Sequence, residues 1–476
     1  MLIGKLVVAL GLATQAEVSR ALEEQRRTGR RLREILGGDS SPHAAGLQRV
    51  LGELPEAPRS IDDLGINRNI AREVFLKAAA AGVVHNVSSL ANELRLPGRV
   101  AGELVDEARQ QKLIELRPGG ANGDFNFILS REGKLGAEAA FANNSYVGPL
   151  PISLESYEKR VRMQSVRAET VTPEVVREVF GDLVVPEARM RDIGAAANSS
   201  KSALLYGPAG NGKTSMAERM GRMFRSFAFV PYAFEVAGQI IQVFDESIHR
   251  PMHEVDTDRS HEFSGVTTIV AEDYDRRWVP CRRPFVFAGG ELTQDMLDLS
   301  FNPISKYYEA PLQVKANNGV LLIDDFGRQI VPPRALLNRW ITPMDRQLDY
   351  LKLHTGKTFS LPFDALLLFS TNLGPEDIMD PTFLRRIPHK ILVTPPDEED
   401  FRAIFADVAK KLEVTFPEGT VDYVMDRIRQ NGTPLAAFQP SFIIGQVVDL
   451  RRFLGTSSTV DDRTAIDFGL KNLLTT

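Results

Sequence analysis

Cysteine is almost absent from this sequence, and long apolar runs are missing. Cys281 is the single cysteine among 476 residues, so no disulfide can form within the chain, which favours a reducing compartment. No run approaches the roughly 18 apolar residues of a membrane-spanning helix, and the apolar segment 1–12 lacks the basic leader of a signal peptide. We therefore expect a cytoplasmic protein without a membrane span.

An excess of positive charge is also lacking. The chain has 57 Lys and Arg against 62 Asp and Glu, a net charge of −5, which argues against a general nucleic-acid binder. With 43% hydrophobic residues, a chain of this length can bury two or three separate cores. The composition therefore predicts a multidomain globular protein whose partners are not chiefly nucleic acids.

A phosphate-binding motif, G-x-x-x-x-G-K-[ST], is the most informative feature that is present. Residues 202–206 are apolar and predict a strand before it, and residues 214–220 predict a helix after it. Glycines allow the loop backbone to surround phosphates with N–H groups, Lys213 would reach the β- and γ-phosphates, and the Thr214 hydroxyl would bind Mg²⁺. The predicted nucleotide-binding residues are Gly207, Pro208, Ala209, Gly210, Asn211, Gly212, Lys213, Thr214 and Ser215. The motif predicts binding of ATP together with Mg²⁺.

Two carboxylates follow a second apolar run, residues 319–323. Such a run predicts a buried parallel strand whose carboxyl end would present Asp324 and Asp325 beside the phosphate loop. Asp324 would hold Mg²⁺, and Asp325 would orient or deprotonate the attacking water. Asp325 also begins a D-F-G tripeptide found in kinases, but no H-R-D catalytic loop precedes it. We therefore interpret this strand end as part of an ATPase site.

A third apolar run, residues 365–370, is followed by Thr371 and Asn372. The Asn372 side chain would lie beside the γ-phosphate and position water. Further along, Arg385 and Arg386 close a short helical segment and could supply positive charge to phosphoryl transfer. Their alternative role is a favourable contact at a helix C-terminus, and the two arginines alone do not decide between these roles.

The order and spacing of these motifs resemble those of the AAA+ ATPases over residues 158–455, and in particular the MoxR-like bacterial branch. Residues 324–337 and a hairpin at 353–362 carry the resemblance to that branch. It implies an α/β core built on a parallel sheet with flanking helices, a helical lid, and a ring of subunits, commonly a hexamer. The resemblance assigns these site residues: Walker A (Lys213, Thr214), Walker B (Asp324, Asp325), sensor 1 (Asn372), and an arginine that reaches a neighbouring subunit (Arg385 or Arg386).

Two positions depart from the family pattern. The family usually has glutamate where this chain has Asp325, and the shorter side chain is expected to position water less well. Residues 438–444 resemble the stretch that normally carries the sensor 2 arginine, but Ser441 stands in its place. The sequence therefore favours ATP binding over fast turnover.

The chain is unusually long between the two Walker motifs. Residues 221–318 contain strand-like segments at 229–236, 240–244 and 282–292, separated by turn residues. In AAA+ rings this region faces the central pore or a partner, so the resemblance implies a partner-binding surface. A β-rich insertion without such a role is the alternative.

Residues 1–36 resemble the N-terminal domain of type II secretion and type IV pilus assembly ATPases, in which paired units can bind cyclic di-GMP. Gly11 and Leu12 fit the first unit. Leu2, however, stands where that unit has arginine, and Arg33 where the second unit has glycine. We therefore favour a helical interaction domain over a cyclic di-GMP site.

A winged helix is predicted next. Its expected elements are helices near 72–81, 87–94 and 99–111 and wing strands near 113–117 and 125–129. A helix that reads DNA is normally basic, because phosphate neutralisation supplies much of the affinity. The third helix instead has Arg99 and Arg109 against three acidic residues. We therefore expect a protein partner rather than DNA.

The predicted architecture has five parts: a helical domain (1–60), a winged-helix domain (61–142), a linker (143–157), the ATPase core with its β-rich insertion (158–395), and a helical lid with a C-terminal tail (396–476). We expect a homo-oligomeric ring that couples ATP hydrolysis to remodelling or assembly of a protein partner. The alternative is a nucleotide-gated regulator or scaffold with little hydrolysis, bound to DNA through the winged helix or responsive to cyclic di-GMP. Stimulation of hydrolysis by a protein would favour the first hypothesis, and dependence on DNA the second.

Overall fold

The computed structural model describes residues 4, 7–8, 10–28, 35–36, 54–117, 125–252, 274–455 and 461–474. The α-helices of these residues are α1 (Gln15–Thr28), α2 (Arg68–Ala80), α3 (Val87–Glu93), α4 (Gly98–Gln110), α5 (Arg131–Asn143), α6 (Leu154–Met163), α7 (Pro173–Phe180), α8 (Glu187–Ser199), α9 (Lys213–Arg222), α10 (Leu312–Lys315), α11 (Pro333–Arg346), α12 (Pro375–Ile378), α13 (Pro381–Leu384), α14 (Glu398–Lys411), α15 (Thr420–Gln430), α16 (Gln439–Leu454) and α17 (Asp462–Leu474).

The strands are β1 (Ile114–Arg117), β2 (Asn126–Leu129), β3 (Ile152–Ser153), β4 (Ala203–Tyr206), β5 (Phe227–Pro231), β6 (Ala233–Val236), β7 (Gln239–Gln242), β8 (Trp278–Arg282), β9 (Phe285–Ala288), β10 (Ser300–Phe301), β11 (Tyr308–Glu309), β12 (Gly319–Ile323), β13 (Leu348–Lys352), β14 (Thr358–Pro362), β15 (Ala365–Thr371) and β16 (His389–Leu392).

A parallel sheet of five strands forms the centre of the region predicted as the ATPase core. Its strand order is β16-β4-β15-β12-β9, and each neighbouring pair runs parallel. Successive side chains of a strand point to opposite faces, so Leu322 and Leu368 belong to one apolar cluster, while Leu321 and Leu367 belong to another. Helices α8 and α9 contribute to the first cluster and α11 to the second. The predicted parallel sheet with flanking helices is therefore confirmed.

The edge strand of this sheet differs from the prediction. We predict residues 282–292 as a strand of the β-rich insertion, but β9 pairs with β12 in the core sheet, with Phe285 opposite Val320. The range 221–318 thus contains a core strand as well as inserted ones. A local pattern predicts a strand without identifying its partner, because pairing is decided by contacts between segments distant in sequence.

Four inserted strands join β3 in a second sheet, in the order β10-β11-β7-β6-β3, whereas β5 and β8 pair antiparallel as a separate two-stranded sheet. Strands β6 and β7 are joined by Ala237 and Gly238, whose φ angles of +52° and +81° are typical of a tight hairpin turn. At the other edge, β3 pairs with β6, placing Ile152 opposite Phe234. Residues 143–157, predicted as a linker, are therefore partly built into this sheet, and Leu150 is fully buried. They are not a free spacer.

The predicted hairpin before the third core strand consists of β13 and β14, paired antiparallel from Leu348 and Pro362 to Lys352 and Thr358. Its tip contacts the second sheet. The ring of His354 stacks on Phe301 at 4.1 Å between centroids, and its Nδ1 is hydrogen-bonded to the hydroxyl of Tyr308. The hairpin is thus attached to the inserted sheet.

Helices and strands in the N-terminal part occur in the order predicted for a winged helix. Helices α2, α3 and α4 are followed by β1 and β2, which pair antiparallel with Ile114 opposite Leu129. Helix α5 then packs against α2. The assignment as a winged-helix domain stays a prediction. Of the residues discussed for cyclic di-GMP binding, Leu2 and Arg33 lie outside the described residues.

The arginines of the third helix are already engaged by acids of the same helix. Arg99 pairs with Glu103 at 3.3 Å, and Arg109 pairs with Asp106 at 3.2 Å. Glu103 also accepts a hydrogen bond from the backbone N–H of Ile61 at 3.1 Å. These contacts do not favour a DNA-reading face, because both arginines would have to exchange a carboxylate for a phosphate.

A buried ion pair directly before β8 connects this strand to the N-terminal part and to the residue before β3. Arg277 and Asp275 are each 5% exposed, and the guanidinium donates three hydrogen bonds of 2.8–3.1 Å to the carboxylate. The remaining guanidinium nitrogen donates to the carbonyl oxygens of Leu64 and Pro151, both at 3.2 Å. Three distant segments therefore converge on one side chain.

Helices α14 to α17 form the C-terminal unit that we predict as a lid. Its core includes Phe401, Val424, Ile443 and Ile466, each at most 1% exposed. Asp397 caps α14 by accepting a hydrogen bond from the N–H of Asp400, as its acidic start predicts. Throughout the described ranges, no helix is both long and apolar enough to cross a membrane.

Candidate nucleotide-binding site

The predicted phosphate loop connects β4 to α9 at the carboxyl edge of the core sheet. Gly207, Gly210 and Gly212 have φ angles of +137°, +78° and +83°, a region that residues with a side chain rarely adopt. A Cβ atom at position 207 would lie 2.4 Å from the carbonyl oxygen of Val393. The glycines of the motif are thus required by the backbone path of the loop, and α9 begins with Lys213 directly after it.

Lys213 lies at the centre of the site. Its Nζ donates hydrogen bonds to the carbonyl oxygens of Gly207 and Pro208, both at 2.9 Å, and to Oδ1 of Asn372 at 2.6 Å. Burial lowers the pKa of Lys213, and the nearby carboxylates of Asp324 and Asp325 oppose that shift. The ammonium group is therefore held among oxygen atoms and directed toward the strand ends.

Thr214 and Asp324 lie next to each other. The Thr214 hydroxyl donates to Oδ2 of Asp324 at 2.7 Å. A hydroxyl and a carboxylate are the oxygen donors that Mg²⁺ prefers, and Mg²⁺ usually takes only one or two protein ligands in addition to phosphates and water. This pair fits that requirement. No group of three or more His, Cys, Asp and Glu side chains suited to a metal occurs in the described part of the chain.

Asp325 lies beside Asn372. The Asn372 amide donates to Oδ1 of Asp325 at 3.2 Å, so Asn372 links Lys213 to this carboxylate. Asp325 is exposed and has a φ of +47°, a left-handed conformation that costs a residue with a side chain roughly 1–2 kcal/mol. The next residue is anchored, because Phe326 donates its N–H to the Ser370 carbonyl at 2.7 Å. The strand ends thus hold a strained acidic residue at the surface of the site.

The structure therefore brings together Lys213, Thr214, Asp324, Asp325 and Asn372. It does not bring Arg385 or Arg386 to them. The two arginines precede β16, whose first residue pairs with Ala203, the first residue of β4. They thus lie near the amino ends of the strands, whereas the phosphate loop follows their carboxyl ends. Within a single chain neither arginine reaches the phosphate loop.

Arg385 and Arg386 differ in their surroundings. Arg386 donates three hydrogen bonds of 2.8–3.0 Å to the carboxylate of Asp345 and a fourth, of 2.8 Å, to the Thr382 carbonyl. Arg385 is exposed, and its side chain makes no hydrogen bond or ion pair within the described residues. Both line a cavity of about 490 Å³ together with Lys201. Arg386 is thus occupied within its own chain, whereas Arg385 is available.

The lid contacts the phosphate loop through residues for which the sequence carried no signal of this role. The Phe438 N–H donates to the Gly210 carbonyl at 2.9 Å, and the Ala437 N–H donates to Oδ1 of Asn211 at 3.1 Å. The Ser441 hydroxyl is not directed at the phosphate loop, because it donates to the Phe438 carbonyl at 2.8 Å. Asn211 occupies a variable position of the motif, so its side-chain contact could not be read from the pattern.

Replacement of Gly210 by alanine is expected to separate the lid from the loop. The new Cβ would lie 2.4 Å from Cδ1 of Phe438, and the φ of +78° adds strain. Hydrogen exchange at the Phe438 amide should accelerate at least about tenfold, which corresponds to roughly 1.4 kcal/mol.

Gly432→Ala is the matched control for this experiment, because Gly432 lies in the lid with a φ of +72° and has no atom within 4 Å of its would-be Cβ. It should leave the exchange rate of the Phe438 amide unchanged. The double variant Gly210→Ala/Phe438→Ala should recover part of the protection by removing the clash. Unchanged exchange in Gly210→Ala alone would show that this contact does not hold the lid.

Three comparisons relate the chain to known proteins. The family profile described as a domain of unknown function (DUF8689) matches residues 397–471, which lie in the C-terminal helical unit. A search of curated proteins found no match.

Among solved structures, domain III of the replication initiation protein DnaA from Thermotoga maritima is 14% identical, with 62% of this chain and 97% of that chain covered and a TM-score of 0.35. NtrX from Brucella abortus, in complex with ADP, is 14% identical over 70% of this chain and 64% of that one, with a TM-score of 0.36. A second structure of the same NtrX is 11% identical over 77% and 60%, also with a TM-score of 0.36. TM-scores this low do not establish a common fold, and such identities do not establish a common function.

Proposed function

We propose that this chain is an ATPase of the AAA+ type, which binds ATP with Mg²⁺ and hydrolyses it at the interfaces of a ring. The observation that supports this most directly is the convergence of Lys213, Thr214, Asp324, Asp325 and Asn372, joined by hydrogen bonds of 2.6–3.2 Å, at the carboxyl edge of a parallel sheet. Carboxyl edges of such sheets are where nucleotides bind.

Each of these residues has a defined task in the proposed reaction. Backbone N–H groups of residues 207–214 surround the phosphates, and Lys213 neutralises charge on the β- and γ-phosphates. Mg²⁺, held by Thr214 and Asp324, would supply further charge neutralisation. Asp325 accepts the proton of the attacking water or orients that water, and Asn372 keeps the carboxylate in place through its hydrogen bond.

Hydrolysis by this site is expected to be slow. Asp325 is one methylene shorter than glutamate, and its position depends on a single 3.2 Å hydrogen bond from Asn372. The lid presents Ser441, an uncharged residue already bonded to Phe438, where an arginine would add positive charge. We infer that ATP binding and its effect on the lid matter more for this protein than rapid turnover.

A neighbouring subunit would complete the site with Arg385. Arg385→Ala is expected to lower the maximal hydrolysis rate about 1,000-fold, since an arginine that stabilises phosphoryl transfer contributes at least that much. Arg386→Ala should act mainly on stability, because it leaves Asp345 without its partner. Steady-state hydrolysis measured over a wide protein concentration range tests both, since activity per subunit should rise as wild-type subunits assemble.

Mixing inactive subunits provides a sharper version of this test. In an equimolar mixture of Lys213→Ala and Arg385→Ala chains, some interfaces contain both native residues. This occurs where a Lys213→Ala chain supplies Arg385 to the phosphate loop of an Arg385→Ala chain. About a quarter of the interfaces in a ring would then be intact, so activity should return on mixing. No recovery on mixing, with both variants assembled, would contradict catalysis across an interface.

We further propose that the work of the ring is remodelling or assembly of a protein partner in the cytoplasm, with the inserted sheet and the N-terminal part as the contact surfaces. A nucleotide-gated scaffold is the second candidate, and Asp325 and Ser441 favour it. Tight ATP binding without turnover at any protein concentration would support the scaffold, whereas stimulation by a protein would support the motor. Stimulation by DNA would indicate a regulator that acts through the N-terminal helices.

A further inference from the structure

Two arginines border the junction between the N-terminal helices and the inserted strands: Arg276 contacts Asn92 at 3.5 Å, and Asn92 lies three residues before Arg95. Arg95 is in the turn between α3 and α4, and Arg276 precedes β8. The guanidinium of Arg95 lies over the ring of Tyr232, 5.8 Å from its centroid. Both arginines and Tyr232 are half-buried. Positive charge is therefore concentrated in a partly dehydrated crevice between two structural units.

No acidic side chain neutralises this pair within the described residues. Among the residues that the structure describes, the one hydrogen-bond contact of the Arg276 side chain is a long one, 3.5 Å, with the side-chain oxygen of Asn92. The adjacent acid, Asp275, is already occupied by three hydrogen bonds from Arg277. Burial lowers the pKa of Arg276, and the positive charge of Arg95 lowers it further. Two like charges in such surroundings repel each other, which a bound anion would relieve.

A cavity adjoins the arginine pair through a shared residue. Tyr232 also lines a space of about 320 Å³, whose other residues are Ser145, Tyr146, Val147, Pro149, Gln242 and Tyr307. Tyr146 is fixed in this wall, since its hydroxyl donates to the Pro149 carbonyl at 2.6 Å and its ring meets Tyr307 edge-on at 5.6 Å. The volume and the aromatic walls are typical of a pocket for a small organic molecule.

We propose that Arg95 and Arg276 bind the phosphate group of a small phosphorylated ligand, at a site separate from the phosphate loop. Guanidinium groups bind phosphate oxygens through paired, charge-assisted hydrogen bonds. An organic part of the ligand would lie along Tyr232 and enter the tyrosine-lined cavity. Because Arg95 comes from the N-terminal helices and Arg276 from the inserted part, the ligand would strengthen the contact between them. This inference does not depend on ATP hydrolysis.

Calorimetric titration of the full-length protein tests the site. The probes are inorganic phosphate, pyrophosphate and AMP at constant ionic strength, and the titrations are made in the Lys213→Ala background so that the phosphate loop contributes little. We expect saturable binding of one equivalent, weakened at least about tenfold by Arg95→Gln or by Arg276→Gln, the loss expected for one charge-assisted hydrogen bond. AMP binding tighter than phosphate would identify an organic phosphate as the ligand, and equal affinities would identify free phosphate.

Arg99→Gln is the matched control, because Arg99 lies four residues from Arg95 but is paired with Glu103. It should leave all three affinities unchanged. Without ligand, Arg276→Gln should unfold no earlier than the parent protein, since it removes a repulsion, whereas loss of a purely structural arginine would lower the unfolding temperature. The proposal is overturned if none of the probes binds saturably, or if binding survives both substitutions, or if Arg99→Gln weakens it equally.

Discussion

Lys213→Ala is expected to remove ATP hydrolysis, with a fall in rate of about 100- to 1,000-fold and a clear loss of ATP affinity. Lys213 is the cation at the centre of the site, and its Nζ lies 2.6 Å from Asn372 and 2.9 Å from two loop carbonyls. Loss of one such preorganised donor typically costs two to three orders of magnitude in rate, or about 3–4 kcal/mol. Steady-state hydrolysis and equilibrium ATP binding measure the two effects separately.

Lys159→Ala is a suitable control, because Lys159 is an exposed lysine on α6. It should retain wild-type binding and hydrolysis. The Lys213→Ala protein should keep its fold, since the loop conformation is supported by its glycines and by the lid contacts, and its unfolding curve would verify this. ATP affinity within twofold of wild type in a folded Lys213→Ala protein would exclude the phosphate loop as the nucleotide site.

Arg277→Ala is expected to cause the largest loss of stability, about 3–5 kcal/mol. Its removal leaves the carboxylate of Asp275, which is 5% exposed, without its cationic partner in a dehydrated site, where, within the described residues, only the backbone N–H of residue 277 still donates to it. It also leaves the carbonyl oxygens of Leu64 and Pro151 without the hydrogen bonds that join them to the segment before β8. Urea unfolding monitored by fluorescence would show the transition moving to lower denaturant concentration.

Two further variants distinguish loss of the ion pair from non-specific destabilisation of the fold. Arg282→Ala removes an exposed arginine from the end of the same strand, β8, and should change stability by less than about 0.5 kcal/mol. Asp275→Leu/Arg277→Met should recover much of the loss, because a buried ion pair can be replaced by apolar residues of similar volume. If the double variant is as unstable as Arg277→Ala, the loss of stability comes from the two lost hydrogen bonds to the carbonyl oxygens and not from the unpaired carboxylate.

Local patterns in the sequence were sufficient to predict the parallel core sheet and the grouping of the main site residues. Lys213 and Thr214 follow the phosphate loop that begins where β4 ends, Asp324 and Asp325 follow β12 directly, and Asn372 follows β15 directly. Parallel strands have their carboxyl ends at the same edge of a sheet. The residues that follow these strands therefore lie close together, and this can be predicted without knowledge of contacts between distant segments. The chemical roles of the five residues stay predictions.

Contacts between distant segments could not be predicted. Arg385 and Arg386 are adjacent residues of the same type, and the sequence does not show that Asp345, 41 residues earlier, binds Arg386. Asn211 meets Ala437 across 226 residues, and Arg277 meets Leu64 across 213. Such pairs depend on the packing of whole units, which a single sequence does not reveal. For the same reason, the sequence predicts β9 as part of the insertion and residues 143–157 as a linker, although β9 pairs with β12 and Leu150 is buried.

The two-residue strand β3 has a practical consequence for dividing this protein into pieces. It covers one side of β6, so a chain that began after residue 153 would leave the backbone N–H and C=O groups of β6 open along an apolar sheet edge that contains Phe234. Open edges of this kind recruit strands from other copies and lead to aggregation. The proposed ATPase core, if it is isolated, is therefore expected to be poorly soluble unless residues 151–153 are retained.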